Sequence, residues 1–504
     1  HYPLRRQRQM CIRDRIKMTQ KTKIIMILMM LFGGFFGLLN ETLLTTALPS
    51  IMKDFDIDYT QVQWLTTAFL LTNGIVVPLS AMIIQRFSTR QVFLTAIFIF
   101  FIGTIIAGFS PNFTVLLCAR IVQAMGSGIM MPLMMTTILD VFEPHERGKY
   151  MGTFGLVIGL APAIGPTLSG YLVEYFDWRS LFHVVAPIAA LTFLGAIKFV
   201  KNVGTNRKAP IDILSIALSV LGFGGLLYGT SSLSRDGWND PVVLTTVIGG
   251  LILVVLFIFR QTRLETPLLD FSVFKNSQFA VGIVIMAFTM IAMIGSETVL
   301  PMFVQNIMKD TALQSGLILL PGAIVMGIMS VASGFLYEKY GAKILAFIGM
   351  LIVVVTSSYF IFMDENTSSA ILATIYAIRM IGIALGLMPL MTHTMNQLSR
   401  EMNAHGSSMT NTVQQISASI GTAGLITIMS QVAKDFSPNM SDYKGMDKKE
   451  MAMQIQHEAL LSGYHAAFWF AVIISIISLI SVFMLKSKRK INQEQQELEQ
   501  QQSK

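Results

Sequence analysis

Charge is scarce in this chain: Asp, Glu, Lys and Arg make up 13% of its 504 residues. Soluble globular domains carry about 25%, so a share this low excludes a molecule whose surface is mostly wetted. Cysteine is nearly missing. The two present, Cys11 and Cys118, exclude a disulfide framework and a cysteine-built metal centre. There is no phosphate-cradling GxxxxGK[ST] loop, no HExxH pair and no GxSxG elbow. Direct ATP use and membrane-embedded hydrolysis therefore have no visible machinery, and no catalytic residue, cofactor or metal is expected. The net charge of +8 is not gathered into a basic stripe with interleaved aromatics, which argues against nucleic acid as a partner.

What the chain has is apolar length, with 53% hydrophobic residues. A bilayer core takes about 20 apolar residues per helix. Scanned on that length, the sequence predicts fourteen spans, near 24–48, 62–84, 91–110, 113–138, 149–173, 181–200, 211–230, 242–260, 278–304, 313–336, 343–363, 369–391, 404–432 and 464–485. Lys and Arg collect in alternate short loops, at Arg86 and Arg90, Arg147 and Lys149, Lys201, Arg207 and Lys208, then Arg260, Arg263, Lys275, Lys339, Lys343 and Arg400. The excess of basic residues on cytoplasmic loops then places both termini inside. The segment 433–463 holds four lysines but is long, and long loops count little in that rule. The leader HYPLRRQRQMCIRDRIK, residues 1–17, resembles a translated sequencing-adapter end, so the natural start is expected at Met18; a basic cytoplasmic arm is the alternative. The tail 486–504 is rich in Gln and Glu and predicts a frayed or disordered segment.

An internal repeat is legible, of the kind transporters built from two related bundles carry. AMIIQRFSTR at 81–90 aligns with GFLYEKYGAK at 334–343, an offset of 253. Arg120 in ARIVQAMGSG aligns with Arg379 in IRMIGIALG at offset 259, and NETLL at 40–44 with SETVL at 296–300 at offset 256. Glu41 and Glu297 thereby become equivalent positions. Spans 1–6 match spans 9–14, leaving spans 7–8 as an inserted pair.

A charged side chain at the centre of a span costs about 2.5–3.5 kcal/mol on insertion scales, so such residues mark ion or proton sites by default. Glu41, Glu297, Arg120 and Arg379 are the four clear cases. A carboxyl group deprived of water holds either a proton or a cationic substrate, and that exclusivity is what proton-coupled exchange requires; a purely structural pairing is the alternative. Arginine stays charged and cannot carry the proton. Arg120 is expected to bias a nearby carboxylate and to bond Gln123 one turn on, or else to be a packing arginine satisfied by carbonyls. In the fifth span, Gly155, Gly159 and Ala163 form a small-residue stripe that lets another helix approach closely, and Pro162 and Pro166 remove backbone donors. Gln414 and Gln415 are cavity candidates or helix glue, His393 is expected to be a satisfied structural histidine, and the 34 methionines suit an adaptable apolar interior.

These residues resemble the major facilitator superfamily, and within it the fourteen-span bacterial drug:proton antiporters, from about Met18 to Leu485. LLNETLLTTALPS is similar to the family's first-span motif at Leu39, Thr42, Ala47, Leu48 and Pro49, but Asn40 stands where the family has Asp and the acid is displaced to Glu41. The cytoplasmic gate motif survives in the first half at Arg86 and Arg90, and more fully in the second at Gly334, Leu336, Glu338, Lys339, Gly341 and Lys343. The fourth-span motif is matched at Arg120, Gln123 and Gly126. The antiporter motif of the fifth span is matched at Gly155, Gly159, Pro162, Gly165, Pro166 and Gly170.

The resemblance implies an all-α integral membrane protein with a six-helix bundle (18–200), an inserted helix pair (201–275) and a second bundle (276–485). It implies a monomeric, multi-pass secondary transporter of the bacterial inner membrane, with a small lipophilic and cationic substrate, protons and the lipid bilayer as its partners. Asn40, Glu41, Glu297, Arg120, Gln123 and Arg379 would serve proton coupling or the substrate cation. Export of one endogenous metabolite, or a non-transporting scaffold or sensor, are the alternatives.

Overall fold

The computed structural model describes residues 18–44, 47–203, 211–438 and 447–486. The leader 1–17, the loop cations Arg207 and Lys208, the tail beyond Lys486 and the side chains of Ala163 and Pro166 lie outside the described residues. Among the described residues the secondary structure is helical throughout, and fourteen helices are long and apolar enough to cross a membrane. They are α1 (Gln20–Leu43), α2 (Tyr59–Arg86), α3 (Thr89–Gly108), α4 (Phe113–Val141), α5 (Arg147–Tyr175), α6 (Ser180–Phe199), α7 (Ile213–Asp236), α8 (Pro241–Gln261), α9 (Ser277–Asn306), α10 (Ala312–Tyr340), α11 (Ala342–Phe360), α12 (Ser369–Asn396), α13 (Asn403–Lys434) and α14 (Lys448–Ser481).

Lipid cannot hydrogen-bond a backbone, so each span must satisfy its own polar groups. The short connections finish that task at helix starts. Asp58, Asn112, Asp240 and Asn276 cap α2, α4, α8 and α9 through side-chain oxygens, and Ser88 with Gln91 and Thr311 with Gln314 form capping boxes on α3 and α10.

Two boundaries differ from the sequence expectation. The first span ends at Leu43 rather than 48, and Leu48–Phe55 forms a short separate helix with a proline in its first turn. The segment 433–463 is not one long loop, because α13 runs to Lys434 and α14 begins at Lys448. Its start, KKEMAMQIQHEALL, is polar, so hydropathy could not see it, yet it is helix-forming. The 34 residues of α14 reach about 50 Å, well past a core of about 30 Å.

Within the first bundle α1 packs on α4, α5 and α6, α4 on α2 and α3, and α3 on α6. Within the second, α9 packs on α12, α13 and α14, α12 on α10 and α11, and α11 on α14. Each pairing has its mate eight helices later, so the repeat read from the sequence is a repeat of architecture. The bundles meet through α5 with α10, its mate α2 with α13, and the crossed pairs α4 with α13 and α5 with α12. The inserted α7 and α8 pack on each other, with α7 lying against both α2 and α13. A bidentate pair joins them, Arg260 Nε and Nη2 donating to Asp212 at 2.8 and 3.0 Å. Those hydrogen bonds hold the Asp212 carboxyl down at about 2. A depressed acid contributes its full stability above its unfolded value and loses it only as pH falls toward 2, so this clasp is intact at neutral pH.

Among the described residues the most extensive helix contact is α5 with α10, and it tightens toward the face that carries both described ends of the chain, called here the termini face. A Cβ on Gly334 would overlap the Gly148 carbonyl, and one on Gly152 would lie 2.5 Å from the Ser330 carbonyl oxygen. Toward the other face the seam relaxes, with a Cβ on Gly316 coming only within 3.9 Å of Thr167 Oγ1. Hydrogen bonds between the bundles cluster at the termini face too. Ser80 pairs with Ser408 (2.7 Å), Thr136 with Ser407 (2.5 Å), Asn403 Nδ2 donates to Asp140 (2.9 Å) and Arg147 Nη1 to Asn396 Oδ1 (2.8 Å). The halves are closed at the termini face and splay toward the opposite one.

Gly334→Val is therefore expected to lower the thermal unfolding midpoint of detergent-purified protein, overpacking costing about 1–3 kcal/mol. Gly170→Val, where a Cβ meets nothing within 4 Å among the described residues, should leave it unchanged.

Candidate functional site

Arg120 is wholly buried in the first bundle and gathers acceptors from three helices. Its Nη1 donates to the Asn40 carbonyl on α1 (3.2 Å) and to Gln123 Oε1 on α4 (3.0 Å), and its Nε to the Leu65 carbonyl on α2 (3.4 Å). The Phe69 ring of α2 lies under the guanidinium at 4.1 Å. Gln123 passes the network on to α3, its Nε2 donating to Thr104 Oγ1 (2.9 Å), which donates to the Phe100 carbonyl (2.8 Å). Arg120 thus bonds backbone carbonyls and the Gln123 side chain together.

The second bundle repeats this with one economy. Arg379, also wholly buried, donates through Nη2 to the Ala292 carbonyl on α9 (2.6 Å) and through Nη1 to Ser357 Oγ on α11. Ser357 lies 253 positions after Thr104, the offset of the gate repeat. Gly382 stands where Gln123 stands, at the offset of the two arginines. Without the intervening amide, Arg379 reaches the hydroxyl itself.

Glu41 lies in the last turn of α1 and Glu297 in the half of α9 away from the termini face. Each is half-buried, and the charge that acts on each is the arginine of its own bundle, Arg120 on Glu41 and Arg379 on Glu297. Yet among the described residues no hydrogen bond or ion pair engages either carboxylate. Each arginine meanwhile keeps a buried donor without an acceptor, Nη2 on Arg120 and Nε on Arg379, and Asn40 Nδ2 is unpartnered as well. Two acids face two cations without being consumed by them. Carboxylates so placed can take up a proton or a cation and return it.

The other expected residues fall elsewhere. In the fifth span, Gly155 lies against Met388 and Ser330, and Gly159 against Met326, so this stripe is the seam to the second bundle. Gly165 instead faces Thr42 of α1, Gly170 faces open space, and α5 stays helical through Pro162 and Pro166. Arg90 bonds the Ile197 carbonyl (2.5 Å) and Lys343 the Phe483 and Leu485 carbonyls (2.8 and 2.7 Å), each inside its own bundle. Lys339 lies over the Tyr340 ring and Arg86 near Phe87. Gly341 supplies a left-handed turn (φ 79°) that its counterpart Ser88 replaces with a capping box. Gln414 is buried on α13, and Gln415 stands beside α2 at Gly74. His393, expected to be satisfied, is buried with Nε2 lacking a partner.

Sequence reasoning found the glycines of the seam but missed the polar side chains that cross it. Asp140 accepts from Asn403 and faces Arg400 at 3.6 Å, Arg147 holds the Leu139 and Phe142 carbonyls as well as Asn396, and His405 meets the Gln85 amide through Nε2 (2.6 Å) while accepting the Asp270 N–H at Nδ1 (3.1 Å). Asp140 and Arg147 flank one short turn, an acid ending one helix and a base opening the next. That pairing was the available signal.

The profile of the Major Facilitator Superfamily matches residues 30–422. An uncharacterized MFS-type transporter of Bacillus subtilis, YcnB, is 44% identical over 94% of this chain and 97% of its own. The lincomycin resistance protein LmrB of the same organism is 39% identical over 95% of this chain and 99% of its own. Among solved structures, the human organic anion transporter MFSD10 (TETRAN) covers 91% of this chain and 99% of its own, with a TM-score of 0.65 at 13% identity, a likeness of fold alone.

Replacing Ser357 by Ala leaves a buried guanidinium N–H without its side-chain acceptor, and the expected loss is about 1–3 kcal/mol in unfolding stability. Thr104→Val should cost less, since Gln123 still accepts from Arg120. Thermal unfolding of the two purified variants checks the order.

Proposed function

The chain belongs to the Major Facilitator Superfamily, and on that premise we propose that it exports lipophilic, cationic drugs or toxic compounds from a bacterial cell in exchange for protons. The termini face is then cytoplasmic, the membrane is the inner one, and the state described here opens outward. One observation carries the reading: each bundle holds a carboxylate in the field of a buried arginine, both groups keeping unused bonding capacity. From outside, a proton settles on Glu41 or Glu297 and neutralises it. A neutral acid no longer holds a cation, so substrate leaves and the proton stays.

Closure of the outer face and opening of the seam at Gly148 and Gly334 exposes the acids to the cytoplasm, where the proton departs and a new cation takes its place. Arg120 and Arg379 favour the ionised acid at that moment, which keeps proton release from stalling. The membrane potential supplies about 2.3 kcal/mol per charge per 100 mV, and each pH unit about 1.4 kcal/mol per proton. An exchange moving net positive charge inward concentrates drug outside without ATP. The name of the relative LmrB makes lincomycin the first compound to try beside a cationic dye.

In everted vesicles with an imposed pH gradient, adding dye or lincomycin should dissipate the gradient with the wild-type protein. The doubly substituted Glu41→Gln, Glu297→Gln protein should leave it standing. Identical responses from the two proteins would remove both acids from the coupling.

A further inference from the structure

The repeat is broken beside the second arginine in a way that packing alone does not require. In the first bundle the aromatic under Arg120 is Phe69 of α2. Its counterpart on α10, 253 positions on, is Gly322. The vacated space is filled from α12 by Tyr376, one turn before Arg379, and a Cβ on Gly322 would run into the Tyr376 ring. The position matching Tyr376 in the first bundle is Leu117. The ring over Arg379 is Phe360 of α11, at 5.9 Å, and Tyr376 beside Gly322 adds a hydroxyl that the first bundle lacks at the matching position.

That hydroxyl sits where it counts. Tyr376 is 4% exposed. Helices α9 and α12 run antiparallel, with Gly282 against Thr394 and the Ala292 carbonyl bonded by Arg379, so Tyr376, one turn before Arg379, and Glu297, five residues after Ala292, stand on the same side of that bond. Among the described residues its hydroxyl makes no hydrogen bond, and neither does the Glu297 carboxylate. The charged groups facing it are Arg379 from its own helix and Glu297 from α9, while α10 and α11 present Gly322 and Ser357. A buried phenol normally finds a partner, and the acceptor at hand is Glu297. Glu41 has no such donor, because Leu117 cannot supply one.

We propose that Tyr376 is a positioning residue for proton exchange, its hydroxyl donating to the Glu297 carboxylate once the proton has left, so that the second bundle carries the proton and Glu41 is left to the substrate cation. The step creates no new chemistry. A proton leaves Glu297 Oε for the cytoplasm, and the phenol, keeping its own proton, turns to donate to the carboxylate. This rests on the exchange reading above and adds a division of labour between its two acids.

The test is proton-coupled dye exchange in vesicles reconstituted with purified protein, measured from pH 5.5 to 9. Tyr376→Phe keeps the ring and its packing and removes only the donor. Losing a donor to the ionised acid lets Glu297 hold its proton to higher pH, so the profile should move alkaline by about one unit, a tenfold change in proton affinity. In a Glu297→Gln background the same substitution should change nothing further. Gly322→Ala, which displaces the ring while keeping the hydroxyl, should shift the profile in the same direction and carries the test if the phenylalanine variant does not fold. An unmoved profile in Tyr376→Phe, or an equal shift in the Glu297→Gln background, overturns the inference while leaving the exchange reading intact. A wild-type profile in Glu297→Gln alone overturns the role of Glu297, and this inference falls with it.

Discussion

Two arginines that cannot give up their charge are buried inside a lipid-spanning bundle, and the packing around them follows from that. A guanidinium there costs several kcal/mol unless acceptors surround it. No single helix offers enough of them, so Arg120 takes carbonyls from α1 and α2 and an amide from its own helix, while Arg379 takes a carbonyl from α9 and a hydroxyl from α11. Helices must come close for this. At Gly126 a Cβ would lie 2.8 Å from the Phe100 backbone nitrogen, which shows how near α3 and α4 have been drawn. The arginines thus tie each bundle into a rigid unit, and rigid units are what rocking exchange requires.

The seam between the units is built on the opposite principle. It closes through glycine contacts, methionines such as Met326 and Met388, and hydroxyl pairs such as Ser80 with Ser408 and Thr136 with Ser407. A neutral hydrogen bond exchanged for water changes the balance by about 0.5–1.5 kcal/mol, and methionine repacks readily. Charge enters the seam sparingly, at Asp140, Arg147 and Arg400 on the termini face. A seam of this kind can open for a few kcal/mol, within reach of one proton crossing a membrane potential. The inserted pair respects this division. It is tied to the second half by directional bonds, Thr230 with Ser419 (2.6 Å) and the Asp270 N–H with His405, and it meets α2 through apolar contacts such as Leu227 at Gly74 and the stacked Trp64 and Tyr228.

Span number, the two-bundle repeat and the buried acids and arginines were legible because lipid punishes charge and forces long apolar runs. Thr104 and Ser357 were not, since hydroxyls are common in spans and nothing in sequence says which ones meet an arginine. The extension of α14 was hidden because hydropathy measures burial in lipid, not helicity in water. The gate motif was legible in part for a related reason: Gly334 lies on the seam against Gly148, while the side chains of Arg90 and Lys343 turn onto their own bundles and polar crossing contacts are made by Asp140, Arg147 and His405.

The displaced acid of the first span can now be understood physically. Asn40 points its backbone carbonyl at Arg120 and is itself 2% exposed. An aspartate at position 40 would bury a carboxylate on the residue whose own backbone already bonds the guanidinium, and a buried ion pair formed there would be costly to break. An amide cannot neutralise the guanidinium, whichever way it is turned. The charge of Arg120 is left to act on the next residue, and one step along a helix turns the side chain by about 100°. That rotation puts Glu41 where it is half-accessible and unbonded while still within the arginine's field. Moving the acid by one residue therefore exchanges a fixed ion pair for a loose one, and only a loose pair can release its partner each time the protein turns over.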